Sequence, residues 1–230
     1  MKTVGIIGGI APESTIQYYR QAVAEYQRRT SESEFPSIII NSIHMTKMLS
    51  LIGQNKLPEV AEYLLLEIKK LYAAGADFAV MASNTPHIVF NALQIQSPIP
   101  LISIVEVACD AAKNANLKKV AILGTRFTMQ GTAYPTVFAK AQIEIVVPSV
   151  PEQDFVHHKY MSELVKGIIL PTTRLELLKI IDTMIARDQI DGVILGGTEL
   201  PLILTDSDHN GIPLLDTTKL HVRRIVEALL

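Results

Sequence analysis

Asp77-Phe-Ala-Val-Met-Ala-Ser-Asn-Thr-Pro-His87 is the stretch whose reading decides the fold. Mostly apolar residues run without a break into the small polar cluster Ser83, Asn84 and Thr85, with His87 just beyond. A short continuous apolar run closed by turn-forming residues predicts a strand buried on both faces, as in a parallel sheet. Polar groups at the C-terminal end of such a strand stand where open α/β sheets take their ligands. The layout returns 114 residues later as Asp191-Gly-Val-Ile-Leu-Gly-Gly-Thr-Glu-Leu-Pro201, with Asp77 six residues before Ser83 and Asp191 six before Gly197. The repeat predicts two related halves that face each other, with Ser83 and Gly197 as counterparts.

Outward from that strand the alternation continues. Thr3-Val-Gly-Ile-Ile-Gly-Gly9 reads as a first buried strand, and helical spacing runs from Glu13 to about Arg28, with Pro12 allowed in the first turn. Strand, glycine turn and helix together can receive a phosphate or carboxylate, because free backbone N–H groups point out of the helix start. A plain tight turn explains the same residues, and Gly-x-Gly-x-x-Gly is absent. Ser37 to Asn41 is a second strand, Pro58 to Ala74 an amphipathic helix, Pro86 to Leu93 a short helix, Pro98 to Ser103 a strand and Ile104 to Ala115 a helix. Lys119-Val-Ala-Ile-Leu-Gly-Thr125 then answers the opening strand at an offset of 116. Helices follow at Thr128–Ala139, Gln153–Ile169 and Thr172–Arg187, with a strand at 143–147, a late strand at 212–216 and a closing helix over 217–230. The class is α/β: two pseudo-symmetric lobes, each a mostly parallel sheet flanked by helices, with right-handed crossovers. The expected division is 1–98 plus 212–230 for the first lobe and 99–211 for the second. The ligand site is expected between the halves, built from Gly8-Gly9, Ser83-Asn84-Thr85, Thr125 and Gly197-Thr198-Glu199.

Composition narrows the chemistry. The chain has 230 residues, 48% hydrophobic and 19% charged, enough apolar content for a packed core and too little charge for disorder. A net charge of −2 without a basic stripe argues against nucleic acid. The single cysteine, Cys109, excludes an internal disulfide and a cysteine metal cluster, and reads as a small core hydrophobe. The six histidines show no metal-ligand spacing, so no metal is expected. No apolar run approaches the 18 residues of a membrane span, and Gly8-Gly9 with Pro12 interrupts the opening one. A soluble cytoplasmic protein is the expectation.

Four motifs carry a resemblance over nearly the whole chain: Gly-Ile-Ile-Gly-Gly-Ile-Ala-Pro-Glu-Ser-Thr (5–15), Ser-Asn-Thr-Pro-His (83–87), Leu-Gly-Thr-Arg-Phe-Thr-Met (123–129) and Gly-Gly-Thr-Glu-Leu-Pro (196–201). In order and spacing they resemble the aspartate/glutamate racemase family. The resemblance implies two pseudo-symmetric α/β lobes, no cofactor, an acidic amino acid as substrate and a homodimer. Racemisation needs an acid and a base on opposite sides of a planar intermediate. In the family both are cysteines, one opening a Cys-Asn-Thr motif and one inside Gly-Cys-Thr-Glu. Here those positions are Ser83 and Gly197. A serine hydroxyl is a far weaker base than a thiolate unless a neighbour activates it, and glycine has no side chain.

The resemblance makes Ser83, Gly197, Glu199 and His87 the catalytic-site candidates, and Gly9, Asn84, Thr85, Thr125 and Thr198 the substrate-binding ones. Capping of the following helices would occupy the polar residues equally well. Glu199 can receive an ammonium group, act as a base or simply pair with a helix end; His87 can be catalytic or packed. Lys166, Arg126, His44 and Lys47 are weaker candidates for a second carboxylate, and an apolar face of Thr128–Ala139 for a dimer contact. The function expected is that of a racemase-family protein for aspartate, glutamate or a related dicarboxylate, with activity reduced, altered or lost. The alternatives are a catalytically inactive dicarboxylate-binding module, and a lyase or isomerase of a small carboxylic acid on the same scaffold.

Overall fold

A computed structural model describes residues 2–31 and 33–230. They divide into two compact units, residues 1–104 with 221–230 and residues 105–220.

In the first unit, β1 (Thr3–Gly8) leads to α1 (Pro12–Arg29), β2 (Ser37–Ser42), α2 (Met45–Gly53), α3 (Leu57–Ala73) and β3 (Phe78–Met81). A 3-10 turn over Thr85–Val89 precedes α4 (Phe90–Gln96) and the two-residue strand β4 (Leu101–Ile102). The strands lie in the order β2-β1-β3-β4, all parallel. β3 is buried along its length, as its unbroken apolar sequence requires of a central parallel strand.

In the second unit, α5 (Ile104–Asn114), which begins at the division, is followed by β5 (Lys119–Gly124), α6 (Arg126–Gln130), α7 (Ala133–Lys140), β6 (Glu144–Val146), α8 (Val150–Ser162) and α9 (Pro171–Asp188). Then come β7 (Gly192–Gly196), α10 (Leu200–Ile203), β8 (Asp208–His209) and β9 (Ile212–Asp216). The order β6-β5-β7-β9 repeats that of the first sheet, and β8 adds an antiparallel edge. Asn210 and Gly211, at φ of 52° and 77°, make the two-residue turn between β8 and β9. Asn-Gly is the pair that such left-handed hairpin turns favour.

The expected boundaries at 98 and 212 are corrected by strand pairing. β4 hydrogen-bonds to β3 and stays in the first unit, whereas β9 pairs with β7 and belongs to the second. The reason is internal symmetry: Ile99-Pro-Leu-Ile and Ile212-Pro-Leu-Leu are the fourth strands of their own sheets. Of the closing segment, only α11 (Thr217–Leu229), from His221 onward, returns to the first unit. There Val222, Ile225, Val226 and Leu229 pack with Val4, Ile6, Tyr18, Phe78 and Val80. The helix expected over Thr128–Ala139 is two, α6 and α7, with Gly131-Thr132 outside both.

The repeated aspartates have matching structural work. Asp77 accepts the Thr3 N–H at 2.7 Å, and its own N–H donates to the Thr3 carbonyl. Asp191 accepts from the N–H groups of Lys118 and Lys119 at 2.7 and 2.9 Å and donates to the Lys119 carbonyl. Each clasps the start of the neighbouring strand, at the sheet edge opposite the polar clusters.

Candidate functional site

Parallel register brings the polar clusters together within each unit. Ile7 pairs with Met81, so two residues on Gly9 comes level with Ser83. Gly124 pairs with Gly196, so Thr125 comes level with Gly197. The offsets of the repeat make Gly9 the counterpart of Thr125 and Ser83 that of Gly197, so each sheet presents one equivalent pair.

In the first unit Gly9 is at φ +79°, and a Cβ there would lie 2.7 Å from both the Ile43 carbonyl oxygen and the Ser42 Oγ. Both its conformation and this close approach require glycine. Its N–H donates to Thr15 Oγ1 at 2.7 Å, so that donor serves the turn into α1. Ser14 ties the same helix to the strand end by donating to the Ala82 carbonyl at 2.5 Å. Ser83, Asn84 and Thr85 are buried, and the Asn84 side chain does not cap the turn that follows it.

His87 is buried against Phe90, with ring centroids 5.1 Å apart. The Ile104 N–H donates to its Nε2 at 3.2 Å, which makes Nδ1 the protonated nitrogen, 3.0 Å from the Ser83 carbonyl oxygen it donates to. Both ring nitrogens are thereby committed to backbone. Burial, with a contribution from His221, lowers the His87 pKa to about 3, so the ring is neutral. His221, in the same unit, has Nδ1 2.8 Å from the Tyr18 hydroxyl and Nε2 3.0 Å from the Ile102 carbonyl oxygen. Burial lowers its pKa to about 4. The Tyr18–His221 pair carries no signal in the sequence beyond the residue types, since 203 positions separate the two.

In the second unit Thr125 caps α6, its Oγ1 accepting from the Thr128 N–H at 3.3 Å. Gly197, Thr198 and Glu199 are buried after β7. Glu199 Oε2 accepts from Thr198 Oγ1 at 2.8 Å and from the Tyr160 hydroxyl. Tyr160, on α8, is a site residue that sequence reasoning missed. Its ring fills the space beside Gly197: a Cβ built there would meet Tyr160 Cε2 and lie 2.9 Å from both Cζ and the hydroxyl oxygen. Burial first, then the Glu199 carboxyl, raises the Tyr160 pKa well above 10, so the phenol keeps its proton and donates.

Arg126 pairs with Asp154 at 2.7 Å, and Lys166 is exposed. His44 caps α2, its Nδ1 accepting from the Lys47 N–H at 3.2 Å, while Lys47 Nζ lies 4.5 Å from the centre of the Tyr63 ring. Among the described residues no three His, Cys, Asp or Glu side chains gather as a metal set, and no helix is long and apolar enough to cross a membrane.

The chain is 28% identical over 183 residues to a glutamate racemase of Limosilactobacillus reuteri, an alignment covering 76% of the chain and 65% of that protein, just under two thirds of its length. A putative Asp/Glu racemase from Yersinia pestis superposes with a TM-score of 0.90 at 29% identity, covering 100% of this chain and 99% of that one. An aspartate racemase homologue from Pyrococcus horikoshii gives 0.83 at 30% identity, with the same coverage. The model of the Asp/Glu/Hydantoin racemase family matches residues 7–225, and the chain belongs to that family.

Proposed function

We propose that the protein binds an acidic amino acid or a related dicarboxylate without racemising it. The observation that carries this reading is the Tyr160 ring in the space beside Gly197, the counterpart of Ser83. The family's chemistry requires a proton acceptor and a proton donor on opposite sides of the substrate Cα. Ser83 would need an activating neighbour, and His87 has spent both nitrogens on backbone. Glu199 already receives two hydroxyl donors on Oε2. In this reading Ser83 and Gly197 stand at the two former acid/base positions, and His87 and Glu199 hold the strand ends in shape. Asn84, Thr85 and Thr198 contact substrate carboxylates, with Gly9 and Thr125 shaping the turns beside them.

The test is calorimetry with L- and D-aspartate and L- and D-glutamate, beside deuterium wash-in at Cα followed by proton NMR in heavy water. Binding without wash-in is the expected result. Wash-in by the unaltered protein would sink the proposal and return Ser83 or Glu199 to an acid/base role, the slowed-enzyme alternative. Silence in calorimetry with all four would remove the substrate class. A cofactor-free homodimer in the cytoplasm belongs to the same proposal, and light scattering at micromolar concentration would show the dimer or a monomer.

A further inference from the structure

Nothing in the backbone at Gly197 demands glycine, since its φ lies outside the left-handed region. What stands in the way of a side chain is a phenol. Tyr160 is 5% exposed and belongs to the second unit's core with Met129, Val156, Leu164, Leu195 and Leu200. At its far end the hydroxyl is held by Glu199. Packed along its length and tied at its tip, the ring cannot swing aside to admit a Cβ without breaking that hydrogen bond or opening the core. At the equivalent strand end of the first unit Ser83 keeps a Cβ and a hydroxyl.

We propose that Tyr160 is the resident of the second acid/base position: a positioning residue whose ring excludes a side chain at 197 and whose hydroxyl fixes Glu199. Tyr160 in this position therefore requires glycine at 197. Placing cysteines at 83 and 197 then does not rebuild a two-thiol site, because the second thiol has no room. Room appears only when Tyr160 is shortened too. This deepens the preceding reading and rests on it only for the identity of the substrate.

The test is a thermodynamic cycle on the whole chain: parent, Gly197→Cys, Tyr160→Ala and the double variant. In the parent background Gly197→Cys lowers Tm by roughly 5 °C or more through overpacking. In the Tyr160→Ala background the same step costs less than half as much, and the cavity left by the tyrosine cancels from the comparison. Under native conditions the thiol introduced by Gly197→Cys, read above the buried Cys109, reacts with a disulfide reagent at least tenfold faster in the double variant. If Tyr160→Ala does not fold, Tyr160→Leu replaces it with the same expectation. An equal Tm cost in both backgrounds, or equal reactivity, overturns the proposal.

Adding Ser83→Cys brings in the chemistry. In the triple variant a thiolate takes the Cα proton, the C–H electron pair staying on the substrate as a planar carbanion, and a thiol carrying a solvent deuteron returns it to that carbon. Wash-in with inversion is expected from Ser83→Cys/Gly197→Cys/Tyr160→Ala and not from Ser83→Cys/Gly197→Cys. Equal wash-in from the two would overturn the assignment of Tyr160. Stability coupling with no wash-in in either would uphold Tyr160 and remove the acidic-amino-acid reading instead.

Discussion

Acidification from pH 8 to pH 5 is expected to destabilise the first unit through its two buried histidines. His87 and His221 have pKa values lowered from 6.5 to about 3 and about 4, in both cases chiefly by burial. The folded rings stay neutral where the unfolded chain already binds protons, so stability is full above pH 6.5 and falls as pH drops towards the folded values. At pH 5 the unfolded chain gains about 2 kcal/mol per histidine, or about 4 kcal/mol for both. His157, whose pKa burial also lowers, works in the same direction in the second unit. Glu25, lowered to about 2 by its hydrogen bond to Arg28, acts only below its ordinary 4.5, so the interval from pH 6.5 to 5 isolates the histidines. Urea unfolding followed by circular dichroism at pH 8, 6.5 and 5 measures the slope. The variants His87→Gln and His221→Gln should each remove one histidine's share, about 2 kcal/mol between pH 8 and pH 5. A flat profile across that interval, or a slope unchanged when both histidines are replaced, would refute the reasoning.

Two further outcomes bear on the turns. Gly9→Ala should cost roughly 1–3 kcal/mol, since alanine resists φ +79° and its Cβ would press on the Ile43 carbonyl; urea midpoints measure it. Asp77→Ala and Asp191→Ala should each cost about 1 kcal/mol by stripping strand-start N–H groups of their acceptor. Lying at the sheet edge away from the polar clusters, neither should change ligand affinity in calorimetry by as much as twofold.

The apolar runs at 78–82 and 192–196 announced buried parallel strands because every residue in them must find an apolar neighbour on both faces. The polar groups that follow them were legible for the same reason, as the first residues past the sheet edge. The boundaries failed where the signal was short. β4 is two residues long, and the repeat of Ile-Pro-Leu at 99 and 212 outweighs its length only once the two sheets are seen to match. The Asn210-Gly211 hairpin was readable from its turn pair, but two-residue β8 offers no strand pattern beside it. Tyr160 lay beyond reach. It sits 37 residues before Gly197, and what defines it is a volume that the glycine does not fill. The sequence left His87 open between a catalytic and a packed role, because nothing local reveals that one ring nitrogen meets a backbone N–H 17 residues away.

The return of α11 has a consequence for the order in which the chain acquires its structure. Residues 221–230 complete the core around Val4, Tyr18 and Phe78, yet all of 105–220 separates them from the segment they serve. During synthesis the first 104 residues emerge with an apolar flank uncovered, while the second unit has every strand of its own sheet before α11 is made. The unit encoded first is finished last. A nonsense mutation just before His221 would accordingly injure the opening lobe and spare the one beside the stop.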